Sequence, residues 1–133
     1  MASKAEILKD ALFSLSVRVK EIRALSLLDA QGLPLISTLG AGGLDEALAA
    51  FGGNISRQVE RAQKDFQMGP MYQVHLVGRD RQLFVIPIHA DASLAALVDA
   101  SATPATITMH LLALVRDVLP HLETEEPSAA WSD

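Results

Sequence analysis

Four histidines, His75, His89, His110 and His121, are the first residues of this sequence that could do chemistry, and their placement argues against it. Ligands for a metal on one helix need to stand a turn apart on a shared face, as in H-E-x-x-H. These four are scattered over two predicted strands and a final helix, so no metal is expected. No serine lies in a G-x-S-x-G elbow, the turn that lifts a nucleophilic hydroxyl clear of the fold. Gly40-Ala41-Gly42-Gly43 ahead of a helix suggests a phosphate cradle, because helix N-termini bind anions. It lacks the Gly-Lys-Ser/Thr ending that supplies the phosphate-binding amine and the magnesium ligand. Asp45 and Glu46 follow instead, and their charge would repel a phosphate. Asp29, Asp80, Asp91 and Asp99 fall at strand ends, where aspartate favours turn geometry. No catalytic residue, cofactor or metal site is expected.

What remains is a pattern of charge on one helix. From Leu44 to Phe66, apolar residues recur at steps of three and four: Leu44, Leu48, Phe51, Ile55, Val59, Ala62 and Phe66. At about 100° per residue they form one stripe facing a core. Glu46, Asn54, Arg57, Arg61 and Lys64 share another face, so three cations line one edge of a chain whose net charge is -5. Solvated surface is the plain reading of exposed bases; a partner-facing edge is the other. Beside the apolar stripe lie Ala49, Gly52, Gly53 and Ser56. A glycine inside a helix costs about 1 kcal/mol relative to alanine. Two together mark either a kink or a place where something approaches the backbone too closely for a side chain. A second helix or a partner protein would make that approach.

Composition narrows the setting. At 133 residues with half of them apolar, the chain fits one domain with a continuous core. There is no cysteine, which excludes a disulfide framework and a thiolate metal site. Residues 1–9 carry early charges and lack the apolar run of a signal peptide, and no window approaches the roughly 18 apolar residues that cross a bilayer. A cytoplasmic protein is expected. Net acidity with a pI near 5.3 argues against nucleic-acid binding, which rests on a dominant basic surface.

The elements that must position the long helix follow from punctuation along the chain. Ser3 and Glu6 form a capping box ahead of the stripe Leu8, Leu12, Leu15, Val19 and Ile22. Ala24–Leu28 and Leu33–Thr38 are short apolar runs around Gly32 and predict a hairpin. Residues 39–43 connect to the long helix, which Gly69-Pro70 ends. Met71–Val77, Leu83–His89 and Leu94–Val98 are predicted strands, with Pro87 marking an edge or a bulge. Thr103-Pro104 opens a final helix with Ile107, Leu111, Leu114, Val115, Val118 and Leu122 inward, and Pro120 is expected to kink or end it. The domain is assigned to residues 1–122, and 123–133 to an acidic flexible tail that carries Trp131. The order αββαβββα predicts an α+β fold: a five-stranded antiparallel sheet sandwiched between the central helix on one face and the two terminal helices on the other.

The run Leu27-Leu28-Asp29-Ala30-Gln31-Gly32-Leu33-Pro34-Leu35, the long helix ending in Gly69-Pro70, the strand Leu83-Phe84-Val85-Ile86-Pro87-Ile88 and the final helix resemble the roadblock family over about residues 5–122. That family includes dynein light chains of the roadblock type and bacterial regulators similar to MglB. The resemblance implies a homodimer in which the third strands pair and the central helices lie side by side. Here that contact would fall on Ala49, Gly52, Gly53 and Ser56, and the strand pairing on Met71, Gln73, His75 and Val77. It also implies a partner, a small Ras-like GTPase of the MglA type, with Arg57, Arg61 and Lys64 as the partner-facing edge. No arginine finger is implied, since such a finger must reach the transferred phosphate. Two other readings stay open: a sensor whose interior is a ligand pocket instead of a packed core, and a recruitment scaffold without effect on GTP turnover.

Overall fold

The structure, a computed structural model, describes residues 3–29, 33–38, 43–89 and 92–123. Its elements are α1 (Lys4–Arg18), β1 (Ile22–Asp29), β2 (Pro34–Ser37), α2 (Gly43–Asp65), β3 (Val74–Val77), β4 (Arg81–His89), β5 (Ala92–Asp99) and α3 (Pro104–Glu123). The strands form one antiparallel sheet in the order β2-β1-β5-β4-β3. Helices α1 and α3 pack together on one face, and α2 crosses the other over β1, β2 and β5. The expected α+β sandwich is the observed one.

The capping box forms as predicted: the Glu6 amide donates to Ser3 Oγ at 3.1 Å and the Ser3 amide to Glu6 Oε1 at 3.1 Å. The apolar stripe of α1 does not run as far as the sequence suggested. The helix stops at Arg18, Val19 takes an extended conformation as its C-cap, and Ile22 opens β1. Both side chains still reach the same core, which is why the helical spacing persists beyond the helix.

Pro120 neither ends nor replaces the last turn of α3, which continues to Glu123. A proline inside a helix removes one hydrogen bond to the carbonyl four residues back. That carbonyl belongs to Arg116, whose exposed position leaves it within reach of water. Pro87 sits within β4, opposite Ser93, and the register slips between Pro87 and His89 as predicted for a bulge. The partner strand β3 pairs only with Gln82 to Val85, so Pro87 takes no donor from that ladder.

Strand β3 is shorter than predicted. It starts at Val74, so Met71 and Gln73 lie ahead of it and outside the ladder. The long helix ends at Asp65, after which Gln67 at φ 54° and Gly69 at φ 74° reverse the chain. The connections at 30–32, 39–42 and 90–91 and the tail at 124–133 lie outside the described residues.

Alternation along the strands sorts side chains into two cores. Leu25 and Leu27 of β1, Phe84 and Ile86 of β4, and Leu94, Ala96 and Val98 of β5 meet α1 and α3. Ala24, Leu28, Val85 and Ala95 face α2, where they meet Leu48. Among the described residues no helix is long and apolar enough to cross a membrane.

Candidate interaction surface

Helix α2 approaches the sheet closely at one end and stands away from it at the other. The floor beneath it is made of small residues, Ala24, Ser26, Ser93 and Ala95, all buried. Gly52 comes down onto this floor: a Cβ placed there would collide with Leu28 Cδ1. At Gly52, then, it is the chain's own β1 that approaches the bare backbone. Gly53 is buried as well, while the side chains of Ala49 and Ser56 are outside the described set.

Further along α2 the predicted core stripe loses its cover. Leu48 is buried, Ile55, Val59 and Ala62 are half-buried, and Phe51 and Phe66 are 39% and 75% exposed. Ile55 and Val59 look across an opening of about 410 Å³ at Met71, Val74 and Val85. Its polar margin includes Asp29, Arg57, Glu60, Gln63 and Ser93. On the edge strand β3, Leu76 follows Val74 on this face and is 41% exposed, while Val77, on the face of His75, is 72% exposed and Tyr72, ahead of the strand, is 82% exposed. Single exposed apolar residues are ordinary; Phe51, the opening and Leu76 together make a candidate interaction surface.

The predicted basic edge is present. Arg57, Arg61 and Lys64 are all exposed along α2. Arg57 is steadied by a hydrogen bond from its Nη2 to Asn54 Oδ1 one turn back. Because Arg57 also borders the opening, the cationic edge and the apolar surface are continuous.

The residues predicted for strand pairing divide. His75 and Val77 lie in β3; Gln73 instead accepts a hydrogen bond from Thr108 Oγ1 at 3.0 Å, tying the approach to β3 to α3. The His75 ring stacks on Phe84 with centroids 4.3 Å apart, and its Nε2 lies 2.8 Å from Gln82 Oε1. Gln82 is the polar residue that sequence reasoning passed over. It is buried, and its Nε2 donates to the Ala102 and Asp99 carbonyls at 2.9 and 3.1 Å. With the amide nitrogen so committed, Oε1 must accept, which makes His75 Nε2 the donor. The signal was a glutamine next to the run Leu83-Phe84-Val85-Ile86, where a polar side chain needs partners.

A second missed contact braces the same end of the sheet. Arg23 grips Asp99 with two parallel bonds, Nε to Oδ1 at 2.7 Å and Nη2 to Oδ2 at 2.9 Å. Hydrogen bonding from Arg23 holds the Asp99 carboxyl below the usual range; desolvation, next in weight, opposes it, and the charges of Arg23 and Arg81 assist. The Glu6 carboxyl is likewise lowered, first by the Ser3 backbone N–H and then by the Ser3 hydroxyl.

No protein-family model matches the sequence, and no curated protein matches it. Solved structures do. A roadblock/LC7 domain from Streptomyces avermitilis aligns with a TM-score of 0.80 at 23% identity, covering 86% of this chain and 96% of that one. The gliding protein MglB from Thermus thermophilus aligns with a TM-score of 0.81 at 16% identity, covering 94% and 95%. MglB from Myxococcus xanthus gives 0.79 at 12% identity, covering 93% of each. The fold is roadblock-like and similar to that of MglB.

Proposed function

We propose that two copies of this chain join through β3 and the adjoining α2 surface, and that the dimer is a non-catalytic cytoplasmic regulator or scaffold for a small Ras-like GTPase of the MglA type. The observation that carries this reading is the unequal cover of the sheet. Helix α2 lies over β1, β2 and β5, while the β4–β3 half of that face keeps an opening and the edge strand carries exposed Leu76 and Val77. A twofold axis beside β3 would extend the sheet strand to strand and bring the partner's α2 over this half. One surface then serves both copies.

The basic edge supports the GTPase part of the reading. Arg57, Arg61 and Lys64 stand in solvent on an otherwise acidic chain, where they would orient an acidic partner surface and speed encounter. The regulator acts by binding one nucleotide state of its partner more tightly than the other, which is what shifts a two-state switch. The core between the sheet and α1/α3 is filled by Phe84, Leu12, Leu15 and Leu111, which speaks against an interior ligand pocket.

Two measurements test this. Light scattering should give twice the mass of one chain, and Leu76→Asp should halve it; a single-chain mass for the unaltered protein would sink the dimer. GTP hydrolysis by a Ras-like GTPase recovered from the same cell with a GTP analogue should rise when this protein is added. Binding with unchanged turnover would make it a scaffold.

A further inference from the structure

Two copies that meet through β3 bring a titratable side chain to the middle of their contact. We propose that His75 makes this pairing pH-sensitive: neutral imidazoles let two β3 strands join, and protonated ones drive them apart. Such regulation rests on the dimer of the proposed function.

The ladder between β3 and β4 decides which residues of the edge strand are free to pair. Bonds in an antiparallel ladder alternate, so every second residue turns its backbone groups to the neighbouring strand. The Gly78 amide donates to the Arg81 carbonyl at 2.8 Å. Counting back through Val77 opposite Gln82, Leu76 opposite Leu83 and His75 opposite Phe84, it is Leu76 and Val74 that bond β4. His75 and Val77 therefore turn their amides and carbonyls to the open edge. Edge strands are commonly guarded by a charged residue, a proline or a bulge, and Val74–Val77 has none of these. His75 is its one polar side chain.

Symmetry then brings the two imidazoles together. A twofold axis normal to the sheet sets opposite residues of the two strands on a shared face, and a pairing centred on β3 has its axis at His75 or at Leu76. In the first case His75 stands against its own copy, with Cβ atoms about 5 Å apart; in the second it stands diagonally, at about 7–8 Å. The ring is held in place for this. It stacks on Phe84 with centroids 4.3 Å apart and planes 16° from parallel, which leaves its other side turned to the edge that the second copy would occupy.

Histidine is the side chain whose charge changes between pH 8 and pH 5. The single chain holds either form: Nε2 donates to Gln82 Oε1 in both, Nδ1 takes the added proton, and a cation against the Phe84 ring is attracted to it. No carboxylate among the described residues stands ready to pair with the charge. On this face β4 presents Gln82, Phe84 and Ile86, and the nearest group of α3, Thr108, is tied to Gln73. Arg79 and Asp80 pair with each other in the hairpin turn, Arg81 faces the other side of the sheet, and Asp99 is bound by Arg23. At about 100° per residue His110, Asp117 and His121 stand on the far side of α3 from Thr108, while Arg116 and Glu123 are about two and four turns beyond it. The second copy contributes the same residues. In the dimer, then, protonation sets two like charges close together and away from water, which disfavours the charged form. Net charge works in the other direction: acidification from pH 7 toward the pI near 5.3 lowers the charge of -5 and eases repulsion between copies.

Light scattering of the full chain over a dilution series at pH 8 and at pH 5.5 tests this. The dimer dissociation constant should rise by about tenfold or more on acidification, with the far-UV circular dichroism unchanged. His75→Gln keeps an N–H for Gln82 and gains no charge, so its dissociation constant should be the same at both pH values. Should that variant fail to pair at pH 8, NMR titration of the His75 ring in the unaltered protein decides instead. By linkage the ring must take its proton at lower pH in a concentrated sample than in a dilute one, and identical titrations overturn the switch. A dimer that is equally strong at both pH values, or stronger in acid, overturns it and leaves the dimer reading standing. So does a loss in acid that His75→Gln retains, which assigns the titration to another group. A single-chain mass at pH 8 removes the dimer reading and the switch together.

Discussion

The two faces of the sheet are built from the same strands and finished to different degrees. Toward α1 and α3, Leu12, Leu25, Leu27, Phe84, Leu94 and Leu111 are fully buried in one continuous core. Toward α2 the fully enclosed cluster is smaller, Ala24, Leu28, Leu48, Val85 and Ala95, and the rest of the helix stripe looks into an opening. One face carries the folding of the single chain. The other keeps apolar surface whose burial, at about 25 cal/mol per Å², is available to association.

The largest test of that contrast is a pair of phenylalanine truncations. Phe84→Ala in the closed core should cost about 3–5 kcal/mol in urea unfolding. Phe66→Ala on the open face should stay within about 0.5 kcal/mol for the single chain. If the Phe66 change proves as costly as the Phe84 change at high dilution, the α2 face is not the open one.

Gly52→Ala probes the one place where α2 is tightly seated. Alanine would gain up to about 1 kcal/mol in helix propensity. Its methyl, however, would meet Leu28 Cδ1, the end of a fully buried side chain that must shift to admit it. Overpacking of this kind costs about 1–3 kcal/mol, so the net effect should be a loss, and Leu28→Ala in the same chain should remove most of it. Two additive losses would mean that the two residues do not compete for the same space.

The double glycine also shows where sequence reading stops. That something comes close to Gly52 is legible from the cost of glycine in a helix; which neighbour it is depends on how α2 lies on the sheet. The capping box of Ser3 and Glu6, the start of α3 at Pro104 and the order of elements were legible because each rests on contacts a few residues apart. The strand limits were less so. Met71–Val77 reads as one strand in the sequence, yet the ladder starts only at Val74, with Gln73 bound instead to Thr108 of α3, a partner far along the chain. The pairing of Arg23 with Asp99 was missed for the same reason: both have the composition of ordinary surface until the fold brings them together.

Charge on the open face should separate association from folding. Arg57→Glu with Arg61→Glu replaces exposed side chains, so the melting curve should move by no more than the roughly 0.5 kcal/mol usual for surface changes. GTPase binding, measured by titration calorimetry at low salt, should weaken by tenfold or more. Unchanged affinity would place the partner on another surface and leave the contrast between the faces as one of packing alone.

The smallest effect belongs to the sheet that both faces share. Asp99 is held below its ordinary value by Arg23, and Glu6 by Ser3. For a carboxyl whose folded pKa is depressed, the stabilisation is complete above the unfolded value and is lost as pH falls through the folded one. For Asp99 the loss therefore begins near the unfolded aspartate value of about 3.9 and continues below it. Stability of the protein and of Arg23→Ala should differ at neutral pH and converge in acid, once Asp99 is protonated in both. The gap should be small and narrow further in high salt, because the Arg23 side chain is 54% exposed. Since this pair braces β1 against β5 at the end where Gln82 and Ala102 also meet, dimer mass and GTPase binding should not change with it. A variant that loses association along with acid stability would show the two faces to be coupled through the sheet.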